Sequence, residues 1–262
     1  MEKKYDVILV GAGPAGIFSA YELMLKAPEL KVLLIDKGPN IYNRKCPILE
    51  KKITRCPKIK NKSAGCFPAC SMTSGFGGSG AYSDGKFNIT AEFGGWMTDY
   101  LPEEEVLDLI RYVDAINLKH GAPDHITDPH TKEVYDIEKR AMGAGLKLLR
   151  SEVRHLGTEV NLKLLANIYE TMKPHIDYAF QTEVKDILVE DGVVKGVILA
   201  NDEVIETKYL LLGVGRTGAH WQTQILSNKG IQFTNNRVDV GVRVETLDII
   251  MDEINKHLYE GK

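Results

Sequence analysis

Apolar and polar positions alternate along this chain in more than one rhythm. In "YDVILVGAGPAGIFSAYELML", Val7 to Val10 form an unbroken apolar run, as in a parallel strand buried on both faces. A glycine-rich turn and a helix follow. A second strand, "KVLLIDKG", ends at Asp36. Residues 40–100 lose periodicity and are rich in Pro, Gly, Lys and Cys. "LPEEEVLDLIRYVDAINLKHG" predicts a helix, with Pro102 in its first turn and three glutamates at its positive end. Val106, Leu109, Ile110 and Val113 keep helical spacing, and Gly121 marks the stop. A loop is expected over 121–135. Further helices are expected at about Asp136–Leu149 and Leu162–Met172, with "RHLGTE" between them. From Ile176 the rhythm changes to consecutive strands. Asp191-Gly192 is a hairpin turn, Asn201-Asp202 a weaker one, and "YLLLGVGRTG" a buried strand running into glycines.

These patterns predict an α/β fold. A Rossmann-type domain, a parallel sheet with a β-meander, is interrupted by a helical and irregular insertion. A chain of 262 residues suffices for one sizeable core. The net charge of −3 gives no global argument for binding nucleic acid or a membrane. No segment approaches the ~20 apolar residues of a membrane span. The N-terminus superficially matches a signal peptide, but Asp6, Gly11, Gly13 and Pro14 break its apolar run. It reads as a buried strand and turn, which implies a cytoplasmic location. Four cysteines in such a chain suggest thiol, metal or redox chemistry before structural disulfides.

The first turn carries the strongest chemical signal. Gly11-x-Gly13-x-x-Gly16 lies between a strand and a helix, and Asp36 follows twenty residues after Gly16. Gly11 permits the sharp turn, Gly13 a close approach of a pyrophosphate, and Gly16 tight packing of helix on strand. The helix N-terminus offers free N–H groups to phosphates. An acid at this distance accepts hydrogen bonds from a ribose diol, favouring FAD or NAD over NADP.

"NRKCP", "GFGGSGAYSDGK", "RHLGTE", "LLLGVGRTGAHW" and "VDVGVRVE" resemble the FAD-dependent dehydrogenase, or NAD(P)/FAD-dependent oxidoreductase, family of the glutathione-reductase-like superfamily. The resemblance covers essentially the whole chain. It implies a flavoprotein oxidoreductase with FAD as cofactor, NAD(P)H as electron donor and a small-molecule substrate or electron carrier as partner. Residues 1–39 and 176–220 would form the FAD domain and 40–100 a Cys/Gly-rich insertion. Residues 101–175 would be a helical segment and 221–262 the start of a substrate domain. By the same resemblance, Gly11, Gly13 and Gly16, with Pro14 and Ala15 between them, would hold the pyrophosphate. Asp36, with Lys37 beside it, would hold the adenosine ribose. Val184 would meet the adenine, and Gly213 and Gly215 would run beside the cofactor. Gly77, Gly78, Ser79 and Gly80 would lie against the pyrophosphate and ribityl chain or the flavin ring. The family's closing Gly-Asp segment is not found after Gly241. That predicts self-association, a partner that completes the flavin site, or a non-catalytic nucleotide-binding scaffold.

Cys46, Cys56, Cys66 and Cys70 are spaced C-x9-C-x9-C-x3-C. Three readings stand: a zinc or iron–sulfur site, a Cys66–Cys70 redox pair beside the flavin, or idle thiols. Arg44, Lys45, Lys51, Lys52, Arg55, Lys58, Lys60 and Lys62 make the same loop basic, a solvated face or a docking element for RNA. It has no interleaved aromatics to stack bases, which argues against nucleic acid. Lys86 and Asp84 of "SDGK" are candidate proton-handling groups. His155 of "RHLGTE" is either a third or a capping histidine. His120, His125, His130 and His175 are expected at the surface or in loops, and Glu138, Glu152 and Glu159 as helix charges.

Overall fold

A computed structural model describes residues 2–56, 66, 68–238, 240–242 and 244–258. Its first elements are β1 (Lys4–Val10), α1 (Pro14–Lys26), β2 (Val32–Asp36), β3 (Lys86–Ile89), α2 (Glu103–Lys119) and α3 (Lys132–Gly143). Then come β4 (Glu152–His155), α4 (Thr158–Met172), β5 (Asp177–Phe180), β6 (Val184–Glu190), β7 (Val193–Leu199), β8 (Val204–Leu212), α5 (Gly215–Asn228) and α6 (Asp248–Leu258). The chain divides into two compact units. One joins Met1–Ser83 to Asn161–Phe233, the other Asp84–Val160 to Thr234–Lys262.

The first unit is built on a six-stranded sheet of order β5-β2-β1-β8-β7-β6. β1 pairs in parallel with β2 and β8, and β2 with β5. β6, β7 and β8 form the antiparallel meander. Its first turn places Asp191 at φ 51° and Gly192 at φ 75°, the left-handed pair that a two-residue hairpin needs. The period of two sorts side chains by face. Ile8, Val10, Leu33 and Ile35 join Val184, Val197, Leu199 and Ile205 in one core. On α1, an added Cβ at Gly16 would lie 3.2 Å from Leu34 Cδ1, so the helix packs closely against the intervening β2 residue.

The second unit contains the antiparallel pair β3–β4. Arg154 on β4 is buried and bidentate on Asp114 of α2, with Nε–Oδ1 and Nη2–Oδ2 both 2.7 Å. Its Nη1 also donates to the carbonyl of His125 at 3.4 Å, so it ties the 123–125 loop to the strand. Val134 and Ile137 of α3 pack with Leu258 of α6.

Several details depart from the sequence expectations. α3 starts at Lys132 rather than Asp136 because Thr131 caps it, its hydroxyl accepting from Val134 N–H at 3.3 Å. Glu152 lies on a strand and not on a helix. His120 is 5% exposed, and its Nδ1 lies 2.8 Å from the Ile116 carbonyl at the end of α2, so it is a helix-end core residue. Separately from those expectations, Val238, Val240, Val242 and Val244 of "VDVGVRVE" are exposed and belong to no strand among the described residues.

Candidate functional site

The first unit encloses a cavity of ≈ 800 Å³ at the C-terminal ends of β1, β2 and β8. That is a normal size for a small-molecule or cofactor pocket. Such a crevice is where open α/β sheets bind ligands.

The turn after β1 forms one wall. Gly11 has φ 106°, and an added Cβ would sit 2.4 Å from the Gly213 carbonyl oxygen. At Gly16 the Cβ would fall 1.9 Å from the Gly11 oxygen. Both positions therefore exclude any side chain. Gly13, Pro14 and Ala15, at the entry to α1, face the cavity.

The second glycine run meets the first, backbone to backbone. Gly77 has φ 90° and donates its N–H to the Ala12 carbonyl at 2.8 Å. A Cβ on Gly78, φ 57°, would be 3.0 Å from the Gly13 Cα. Gly78 and Ser79 line the cavity.

Asp36 holds these pieces together. It is 9% exposed. One carboxylate oxygen accepts from Gly38 N–H at 2.7 Å and Gly75 N–H at 2.9 Å, the other from Ala12 N–H at 2.8 Å. Thr182 donates its N–H to the Asp36 carbonyl at 3.1 Å, which brings Thr182, Glu183 and Val184 to the same end of the cavity.

Arg44, expected with the basic loop, is 4% exposed and belongs to no solvated face. Its guanidinium donates to four carbonyls of one loop: Ser71 at 2.9 Å, Met72 at 3.0 Å, and Phe76 and Gly78 both at 2.7 Å. The Tyr82 ring lies 5.2 Å away, and the Tyr82 hydroxyl donates to the Arg44 carbonyl. Burial lowers the Arg44 pKa from its ordinary value.

Gly11, Gly13, Pro14, Ala15, Asp36, Lys37, Gly78, Ser79, Val184, Gly213 and Gly215 thus surround one cavity. Gly16 instead packs the helix, and Gly77 fastens the second run to the first. Gly80 has nothing within 4 Å of an added Cβ, and its carbonyl accepts from Asn161 Nδ2 at 2.8 Å. The sequence reading missed Thr182, Trp221, Gln222 and Arg44. Arg44 stands in the quoted "NRKCP", but within a run of cations nothing marks the buried one.

In the second unit, Asp84, Lys86 and His155 converge. Asp84 Oδ1 lies 3.0 Å from His155 Nε2, and Oδ2 lies 3.7 Å from Lys86 Nζ. Lys86 and His155 are directly opposed in the β3–β4 register. Gly157 N–H donates to the Asp84 carbonyl at 2.9 Å and continues the pairing beyond the strands.

The metal site expected at the cysteines is not found among the described residues. All four thiols are free, and among the described residues no group of three or more His, Cys, Asp or Glu is placed to hold an ion. Cys46 and Cys70 each open a turn of their own, accepting from Glu50 N–H and Ser74 N–H at 2.9 Å. Burial pushes the Cys66 thiol up from its ordinary pKa, and the three other sulfurs add to the shift. Lys58, Lys60 and Lys62 lie outside the described residues. Lys52 pairs with Glu50 at 2.7 Å.

No protein-family profile matches the chain. An uncharacterised protein of Clostridium beijerinckii is 23% identical over 244 residues, which are 93% of this chain and 37% of that protein. An uncharacterised protein of Methanosarcina barkeri is 57% identical over 35 residues, 13% of this chain and 8% of that one. Among solved structures, L-amino acid deaminase from Proteus vulgaris matches 88% of this chain and 51% of its own, at 14% identity and a TM-score of 0.50. The chain therefore spans about a third to a half of the length of these longer matches. Its fold is a Rossmann-like mixed sheet with helical insertions, similar to the matched part of the deaminase. The match shows the fold alone, and not specifically the glutathione-reductase-like family. Among the described residues, no helix is long and apolar enough to cross a membrane.

Proposed function

We propose that this chain binds FAD in the cavity of its first unit and serves an oxidoreductase acting on a small molecule, with NAD(P)H as electron donor. One observation carries the reading. Two glycine runs meet backbone to backbone at Gly13 and Gly78, beside a carboxylate at the end of β2. Side chains there would close the space that a pyrophosphate needs. Asp36 spends three of its roughly four acceptor sites on backbone N–H groups, which leaves one for a ribose hydroxyl. The entry of α1 offers N–H donors to the phosphates, and Val184 and Thr182 flank the adenine end.

A bound flavin would supply the hydride or electron transfer itself. The chain's part is to bind, orient and move protons. Asp84 lies 3.0 Å from His155 Nε2 and 3.7 Å from Lys86 Nζ, so the three form one cluster of candidate proton-handling groups. Their roles as proton carriers belong to this proposal, as does a cytoplasmic location.

The test is an anaerobic ultraviolet–visible spectrum of the purified chain before and after adding FAD. Retained or recovered flavin bands are the expected outcome. A colourless chain that takes up no FAD would overturn the reading.

A further inference from the structure

Arg44 is a buried cation that cofactor binding, as described above, does not use. Among the described residues, no carboxylate lies within hydrogen-bond reach of it. Four of its five N–H donors go instead to main-chain carbonyls of residues 71, 72, 76 and 78. A buried guanidinium is a costly way to hold a loop unless the loop's orientation matters.

Peptide geometry shows what is oriented. In a planar trans peptide the C=O and the following N–H point in opposite directions. The Gly78 carbonyl is turned onto Arg44 Nη1 at 2.7 Å, so the Ser79 N–H points the other way. Ser79 lines the cavity. It is the second residue of the 3₁₀ turn Gly78–Tyr82, where an N–H has no partner within the turn, and it has none among the described residues. Gly78 is also the residue that touches Gly13, at the entry to α1. The Ser79 amide and the first N–H groups of α1 therefore converge on one region of the cavity.

We propose that Arg44 is the positioning residue that turns the Ser79 amide into the cavity, and that this amide donates to a phosphate of the bound dinucleotide. The inference rests on the FAD reading above and adds a donor and its support. Arg44 acts through the loop and does not itself line the cavity.

The experiment titrates FAD, followed by quenching of its fluorescence, and adenosine, followed by saturation-transfer NMR, into wild type, Arg44→Met, Arg44→Lys, Ser79→Pro and the Arg44→Met/Ser79→Pro double variant. Arg44→Met is expected to weaken FAD binding about tenfold or more, roughly the worth of one charge-assisted hydrogen bond to phosphate. Adenosine, which has no phosphate, should bind all variants alike. Arg44→Lys should recover part of the loss. Ser79→Pro deletes the amide donor and should match Arg44→Met, with no further loss in the double variant. Equal FAD affinity in wild type and Ser79→Pro would overturn the inference while leaving the FAD reading intact. A parallel loss of FAD and adenosine binding in Arg44→Met marks general unfolding, and the Ser79→Pro titration then decides alone. A wild type that binds adenosine but no FAD would remove the reading itself, and the inference with it.

Discussion

The two glycine runs make the same kind of surface by different means. Gly11–Gly16 is held by the regular elements around it. The Gly11 N–H donates to the Ile35 carbonyl of β2 at 2.8 Å, and the Ile17 N–H donates to the Gly13 carbonyl within the first turn of α1 at 2.9 Å. Gly75–Gly80 has only a short 3₁₀ turn of its own. It is held by two distant charged side chains, Asp36 through the Gly75 N–H and Arg44 through the Phe76 and Gly78 carbonyls. A glycine run flanked by a strand and a helix announces itself by pattern. One in an irregular stretch, held by side chains 32 to 39 residues away, is reached only through the family resemblance.

The most severe way to break the first run is Gly16→Val. The added atoms would meet the Gly11 carbonyl oxygen, a backbone group that cannot swing aside as a side chain can. Overpacking of this kind typically costs ~1–3 kcal/mol, and more against backbone. The expected outcome is loss of cooperative unfolding in the first unit, seen by calorimetry. A variant that melts within a few degrees of wild type would show that the turn is less tightly built than these contacts require.

Asp36→Asn tests the tie between the runs. The amide oxygen can keep Gly38 and Gly75, but the amide nitrogen would then face the Ala12 N–H, donor to donor. One buried unsatisfied N–H costs about 1–3 kcal/mol. Denaturant titration should show that loss even without cofactor. An Asp36 whose only duty was to a ribose would leave the stability of the free chain unchanged.

This dual duty shows how far the sequence was legible. The strand, the turn, the helix and Asp36 follow from spacing alone, and the meander from Asp191-Gly192. The short strands β3 and β4 do not. Each has four residues, and their partners lie 63 or more residues apart, so neither periodicity nor a turn signal announces them. That pairing nonetheless brings Lys86 opposite His155. The cysteines are less legible. Their spacing leaves metal, redox and idle readings open, and no metal cluster is found among the described residues although the other three sulfurs act on Cys66.

The finest comparison lies within the second run. Gly77 has φ 90°, and an added Cβ would meet Leu165 Cδ1 at 2.7 Å and the Ala81 Cβ at 2.9 Å. Gly80 has no left-handed φ and nothing within 4 Å. Gly77→Ala should therefore cost about 1–2 kcal/mol for the left-handed backbone alone, with some additional cost from the contacts. Gly80→Ala should lie between neutral and a gain of ~1 kcal/mol, because alanine has less chain entropy to lose on folding. Paired melts of the two variants separate these values readily. Equal losses would mean that the whole run, and not only its contact with Gly11–Gly16, depends on being glycine. The expected inequality would confine the requirement to positions with a left-handed φ and no room for a Cβ.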